Sequence, residues 1–167
     1  MLCVIAKLDV GATERLRGLQ GAAAAFGLRP APVYGHITLA AYTPEDDAEF
    51  AAGCRELLEN TARFSVRIDR IEVLQATSII AALPEKSGAL LRLHDKIAAR
   101  YGQFLDVWTR GGDWLPHVTL FYHPQAELPR VCRAMREGFS PFTAAVTGIE
   151  FSKVTETGYE ITGRIAL

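Results

Sequence analysis

Apolar positions recur along the chain with two periods, and together they divide it into short elements with little between them. Residues 2–10, rich in Val, Ile and Leu, read as a strand ended by Gly11. Thr13 is placed to cap a helix whose Leu16, Leu19, Ala23 and Phe26 recur at helical spacing, and Gly27 to stop it. Arg29-Pro30-Ala31-Pro32 is an extended connection, because each proline restricts the residue before it. Thr43-Pro44-Glu45-Asp46 is a helix start with Thr as cap, Pro in the first helical position and acids in the first turn. Phe50, Cys54, Leu57 and Leu58 are that helix's buried stripe. Residues 64–74 alternate Phe64, Val66 and Ile68 against Ser65, Arg67 and Asp69, then change phase to Ile71 and Val73. The shift predicts a β-bulge near Asp69-Arg70. Residues 78–83, ended by Pro84, pair with this strand as a hairpin.

Ser87 or Gly88 starts a helix striped by Leu90, His94, Ile97 and Tyr101, and residues 104–109 read as a further strand before the loop Arg110-Gly111-Gly112-Asp113. Residues 128–139 form a helix with Val131, Cys132, Met135 and Phe139 inward, and 142–154 and 159–167 a hairpin joined around Thr157-Gly158. Two more strands share one pattern: Gly35-His36-Ile37-Thr38-Leu39-Ala40 and Pro116-His117-Val118-Thr119-Leu120-Phe121. In each half a His strand, a helix and two strands follow in order. Two related α+β lobes, pseudo-symmetric, each an antiparallel-rich sheet with helices on its outer face, satisfy that order. At 167 residues the chain is one bilobal domain, 1–167.

Composition narrows the partners. A formal charge of −1 argues against a broad basic surface for long nucleic acids, though it permits a local basic pocket. Cys3, Cys54 and Cys132 are odd in number and widely spaced, with no CxxC, which fits a reducing cytoplasm and neither a disulfide framework nor a zinc finger. No run approaches a transmembrane span, and no motif for a protein partner stands out.

The chemistry lies in the paired strands. Alternation puts His36 and Thr38 on one face with Ile37 and Leu39 on the other, and His117 and Thr119 likewise oppose Val118 and Leu120. Two imidazoles facing one pocket supply a general base and a general acid, which phosphodiester cleavage needs together. The Thr hydroxyls can donate to non-bridging phosphate oxygens. No Asp, Glu or Cys sits at a matching offset from either motif, so the pattern calls for no metal and no cofactor. The two His-x-Thr-Leu motifs, 81 residues apart, resemble those of the 2H phosphoesterase superfamily, in particular its bacterial 2′–5′ RNA ligase-like and cyclic phosphodiesterase branch. The resemblance covers nearly the whole chain. It implies two lobes enclosing a central cleft and metal-free hydrolysis of 2′,3′-cyclic phosphates or 2′–5′ links in nucleotides or RNA ends. By position it implies acid or base roles for His36 and His117 and phosphate contacts for Thr38 and Thr119, without dividing acid from base. A non-catalytic protein holding a nucleotide or RNA end in the same cleft, and a reversible RNA 2′–5′ ligase, remain as alternatives.

Around the motifs, Tyr34, Trp114, Phe121 and Tyr122 offer rings on which a nucleobase can stack, with core packing as the competing use. Strand parity puts Phe121 on the His face. His94 reads as a core or cleft-edge residue and His123 as a strand-end residue. Arg110, Lys153 and the Arg130, Arg133, Arg136 series read as solvated charges.

Overall fold

One strand holds the two halves together. The computed structural model describes residues 1–43, 47–112, 114–123, 127–156 and 158–167. In chain order the elements are β1 (Leu2–Leu8), α1 (Val10–Gln20), β2 (His36–Tyr42), α2 (Asp47–Leu58), β3 (Phe64–Val73), β4 (Ile79–Pro84), α3 (Gly88–Tyr101), β5 (Val118–Tyr122), α4 (Leu128–Glu137), β6 (Phe142–Thr155) and β7 (Gly158–Ala166). The start of β6, Phe142 to Val146, pairs with β3, while Val146 to Lys153 pairs with β1 and the far end with β7. The result is one open, antiparallel sheet of seven strands, ordered β2-β1-β6-β3-β4-β5 with β7 also on β6. The two expected lobes, antiparallel and flanked by helices, share one sheet through β6. Helices α2 and α3 cover the β2 side, and α1 and α4 pack on β3 to β6.

The core follows the apolar pattern. Leu2, Val4, Ala6 and Leu8 of β1 alternate into it, and Tyr42, Phe50 and Tyr101 bring β2, α2 and α3 together. The Tyr42 and Phe50 rings stack at 3.9 Å, with Tyr101 edge-on to Phe50 at 4.9 Å. The bulge expected near Asp69-Arg70 is there, as a register shift between Ile68 and Arg70 against β4. Ser87 caps α3 by accepting from the Leu90 N–H, and Gly27, at φ +71°, ends a 3₁₀ extension of α1. The helix start at Pro44-Glu45-Asp46, the Asp113 end of the loop and Thr157 of the last hairpin lie outside the described residues.

Two expectations change. The first helix is capped by Asp9, whose Oδ1 accepts from the Ala12 N–H, not by Thr13, which is buried and donates its hydroxyl to the Asp9 carbonyl. Residues 104–109 form no strand. Asp106 Oδ1 accepts from the N–H groups of Trp108 and Thr109 and from the Thr109 hydroxyl, and this side-chain-closed turn outcompetes extended pairing. Among the described residues one bridge, Leu105 to Tyr42, remains, and Val107 and Trp108 are exposed. Among the described residues no helix is long and apolar enough to cross a membrane.

Candidate active site

Side chains outside the two motifs bring the two His strands together. Gln20, buried at the end of α1, donates to the carbonyls of Leu120 in β5 and Ala31 before β2, and accepts from the Val33 N–H. Trp114, 4 % exposed, donates its indole N–H to the Thr38 carbonyl at 3.1 Å. Its other support is His94, stacked on it at 4.1 Å and itself hydrogen-bonded through Nδ1 to the Leu39 carbonyl. His94 and Trp114 thus brace β2 from the core, and neither offers a face to a ligand.

His36 opens β2 and His117 immediately precedes β5. A carbonyl can only accept, so the 2.9 Å contact between His117 Nδ1 and the Leu115 carbonyl puts a proton on Nδ1 and leaves Nε2 for chemistry. In His36 it is Nδ1 that is buried, without a protein partner, so Nε2 is again the nitrogen left for chemistry. Burial, then the Lys7 ammonium, then His117, push His36 down from 6.5 to about 4, which keeps it a neutral imidazole at pH 7. Thr38 and Thr119 have no protein hydrogen bond to their hydroxyls among the described residues. Thr38 is half-buried and Thr119 exposed.

Phe121 does not share their face. The β4–β5 register slips, with Ala81 opposite Thr119 but Ile80 opposite Phe121. The extra residue turns Phe121 inward, where it is 2 % exposed and has no face for a base. Tyr34 lies beside His36, 5.7 Å between ring centres, but its ring face carries the Lys7 ammonium at 3.6 Å. Its hydroxyl donates to Glu150 at 2.7 Å, and burial with that bond raises it to about 12. The open ring is Tyr159 of β7, 49 % exposed, 5.2 Å from Tyr34 and 6.5 Å from His36. Tyr122 is exposed on the far strand. Arg110 directs its guanidinium to the Leu105 carbonyl, Lys153 pairs with Asp47 at 3.3 Å, Arg130 pairs with Glu127, and Arg136 donates to the Ile71 carbonyl.

Lys7, Glu150 and Tyr159 are therefore the site residues that the motifs do not point to. Each arrives through strand pairing: Lys7 sits opposite His36, Glu150 opposite Ile5 on one side and Arg164 on the other. Glu150 is almost wholly buried and holds both Tyr34 Oη and Arg164 Nε, the latter at 2.9 Å. Among the described residues no three His, Cys, Asp or Glu side chains converge as a metal cradle.

Gly35 sets the entry into β2. Its φ is +72°, and a Cβ there would stand 2.0 Å from Thr13 Oγ1, inside the buried end of α1. Gly35→Ala is expected to cost about 3 kcal/mol, combining left-handed strain with overpacking, or roughly 10 °C in Tm. Adding Thr13→Ala should recover the packing part but not the strain. A Gly35→Ala protein that melts with the wild type would show that this loop does not hold His36 in place.

A profile of the 2′-5′ RNA ligase superfamily matches residues 9–158. The fold is similar to that of TT0787 from Thermus thermophilus, with TM-score 0.71 and 20 % identity over 99 % of this chain and 97 % of that one. It is also similar to E. coli LigT in complex with 3′-AMP, at TM-score 0.67 and 17 % identity over 99 % and 96 % of the two chains. A crystal structure described as a phosphoesterase aligns with TM-score 0.60 and 18 % identity over 99 % and 97 %. No curated protein matches the sequence.

Proposed function

The chain belongs to the 2′-5′ RNA ligase superfamily, and on that premise we propose that it is a metal-independent phosphodiesterase opening 2′,3′-cyclic phosphates or cleaving 2′–5′ links of nucleotides or RNA ends. The observation that carries this reading is the pair of imidazoles at the two edge strands of the sheet, β2 and β5, which approach each other so that His117 acts on His36, each with Nδ1 turned into the protein and Nε2 left for chemistry. His36, held neutral, is the general base and His117 the general acid. His36 Nε2 takes a proton from water as the water oxygen bonds to phosphorus. Thr38 and Thr119 donate to the non-bridging oxygens as charge builds on them. His117 Nε2–H protonates the departing ribose oxygen, and exchange with solvent resets both rings. An imidazole near 4 is a weak base, but a bound phosphate anion favours its protonated form and raises its basicity when it is needed. Nucleotide binding is the trait that LigT, solved with 3′-AMP and with ATP, lends to the proposal. Three free thiols agree with a cytoplasmic setting.

Hydrolysis of the four nucleoside 2′,3′-cyclic phosphates, with product isomers resolved, tests the reading. Turnover unchanged by EDTA is expected, and a collapse with chelator would overturn the metal-free mechanism. The Tyr159 ring is the base platform in this reading. Tyr159→Ala should raise KM for a nucleoside cyclic phosphate at least about fivefold, the lower end of a stacking contribution, and leave ribose 2′,3′-cyclic phosphate unaffected. No turnover on cyclic phosphates or on 2′–5′ linked dinucleotides would sink the phosphodiesterase reading altogether.

A further inference from the structure

The two halves of the site differ in what stands across the ladder from each histidine. On β1, Lys7 is the direct partner of His36, so ammonium and imidazole share one face. On the other side the β4–β5 pairing begins at Val118, opposite Ala82, and His117 lies just before it. His36 has a cation across the ladder, whereas His117 stands outside the β4–β5 ladder.

That cation has no carboxylate in contact among the described residues. Lys7 Nζ donates to the Tyr34 carbonyl and lies over the Tyr34 ring. Glu150, the acid facing it from β6, is taken by the Tyr34 hydroxyl and by Arg164. The other groups around it add positive charge or none: Arg164 from β7 and Arg17 from α1 act on Lys7, His117 from before β5 acts on His36, and the neutral phenol of Tyr159 closes the side. A half-buried ammonium without an ion pair keeps an unmet demand for an anion. Through the ladder that demand lies beside His36, the base of the proposed reaction.

Resting on the phosphodiesterase reading above, we infer that Lys7 is a third catalytic residue, whose ammonium meets a non-bridging oxygen of the substrate phosphate on the His36 side. Two consequences follow from one charge. In the empty site the ammonium adds to burial in holding His36 unprotonated, ready as base. In the occupied site the phosphate neutralises it, the hold on His36 relaxes, and the imidazole becomes a stronger base as the substrate arrives. Attack is thereby tied to occupancy.

The test compares Lys7→Met and Lys7→Arg by turnover and, independently, by binding of inorganic phosphate and 3′-AMP with the His36 ring titrated by NMR. Lys7→Met is expected to lower kcat at least about tenfold, to weaken phosphate binding by a similar factor and to move the His36 titration in the empty site upward. Lys7→Arg, which keeps charge and donor, should restore most of all three. Phosphate affinity, kcat and His36 titration unchanged in Lys7→Met would overturn the inference and leave Lys7 a strut for the Tyr34 loop. Loss of phosphate affinity in Lys7→Met with a wild type that hydrolyses no phosphodiester would support the anion contact while refuting the proposed reaction.

Discussion

Replacing either His36 or His117 by alanine is expected to lower kcat/KM on a nucleoside 2′,3′-cyclic phosphate at least about a hundredfold, the scale of losing a general acid or base. The two effects should not multiply. Base and acid act in one transition state, so once either is gone the other has little left to do, and the double variant should be only slightly worse than the poorer single. The division of labour can be read separately. A nitrophenyl phosphodiester expels a stable anion that needs no proton, so on such a substrate His117→Ala should recover most of its activity while His36→Ala should not. Recovery by His36→Ala instead would exchange the two roles. Turnover that survives both substitutions on the cyclic substrate would remove the imidazoles from the mechanism.

How much of this site can be read from sequence depends on whether a feature is local. The alternation in Gly35-His36-Ile37-Thr38-Leu39 is enough to place His36 and Thr38 on one face, and β2 realises it, with Ile37 and Leu39 fully buried. The second motif obeys the same rule only as far as Thr119. The slip between β4 and β5 comes just beyond it, and since a one-residue shift inverts every side chain that follows, Phe121 passes from the His face to the core. Nothing in Leu120-Phe121-Tyr122 announces the slip, because it is a property of two strands far apart in the chain. Lys7, Glu150 and Tyr159 are invisible for the same reason: each reads as an ordinary residue of its own strand, and only the pairing of β1 with β2 and of β6 with β1 and β7 brings them to His36. The lost strand at 104–109 has a different cause. Val107 and Trp108 have the composition of a strand, but Asp106 offers the backbone a closed turn, and a side-chain acceptor two and three residues upstream wins over pairing with a distant edge. Asp9 displaces Thr13 as a cap in the same way, since its carboxylate also takes the Ala145 N–H at 2.6 Å and so fixes the helix start to the sheet.

The depressed basicity of His36 makes the fold itself sensitive to acid, and in a calculable direction. Unfolded, the imidazole takes a proton as pH falls through about 6.5, whereas folded it does not until about 4. Between those values the unfolded chain binds more protons than the native one, so stability falls as pH falls, fully present above about 6.5 and with the loss complete below about 4. At about 1.36 kcal/mol per unit the loss approaches about 3 kcal/mol. Carboxylates elsewhere also respond to acid, so the quantity to measure is a difference: urea unfolding at about pH 7 and about pH 4.5 for the wild type and for His36→Ala. The variant loses a constant amount to its cavity at both pH values, and that cancels. The wild type is then expected to lose about 2–3 kcal/mol more than the variant on acidification. The same titration sets the acid limb of kcat/KM, which reports the free enzyme and should fall only as pH approaches about 4, while the limb of kcat should lie higher because bound phosphate favours the imidazolium. Equal acid sensitivity in the two proteins, together with a kcat/KM limb near the ordinary imidazole value, would mean that His36 is not held neutral by its surroundings. The assignment of His36 as a base held neutral by burial and by the Lys7 charge would then fall.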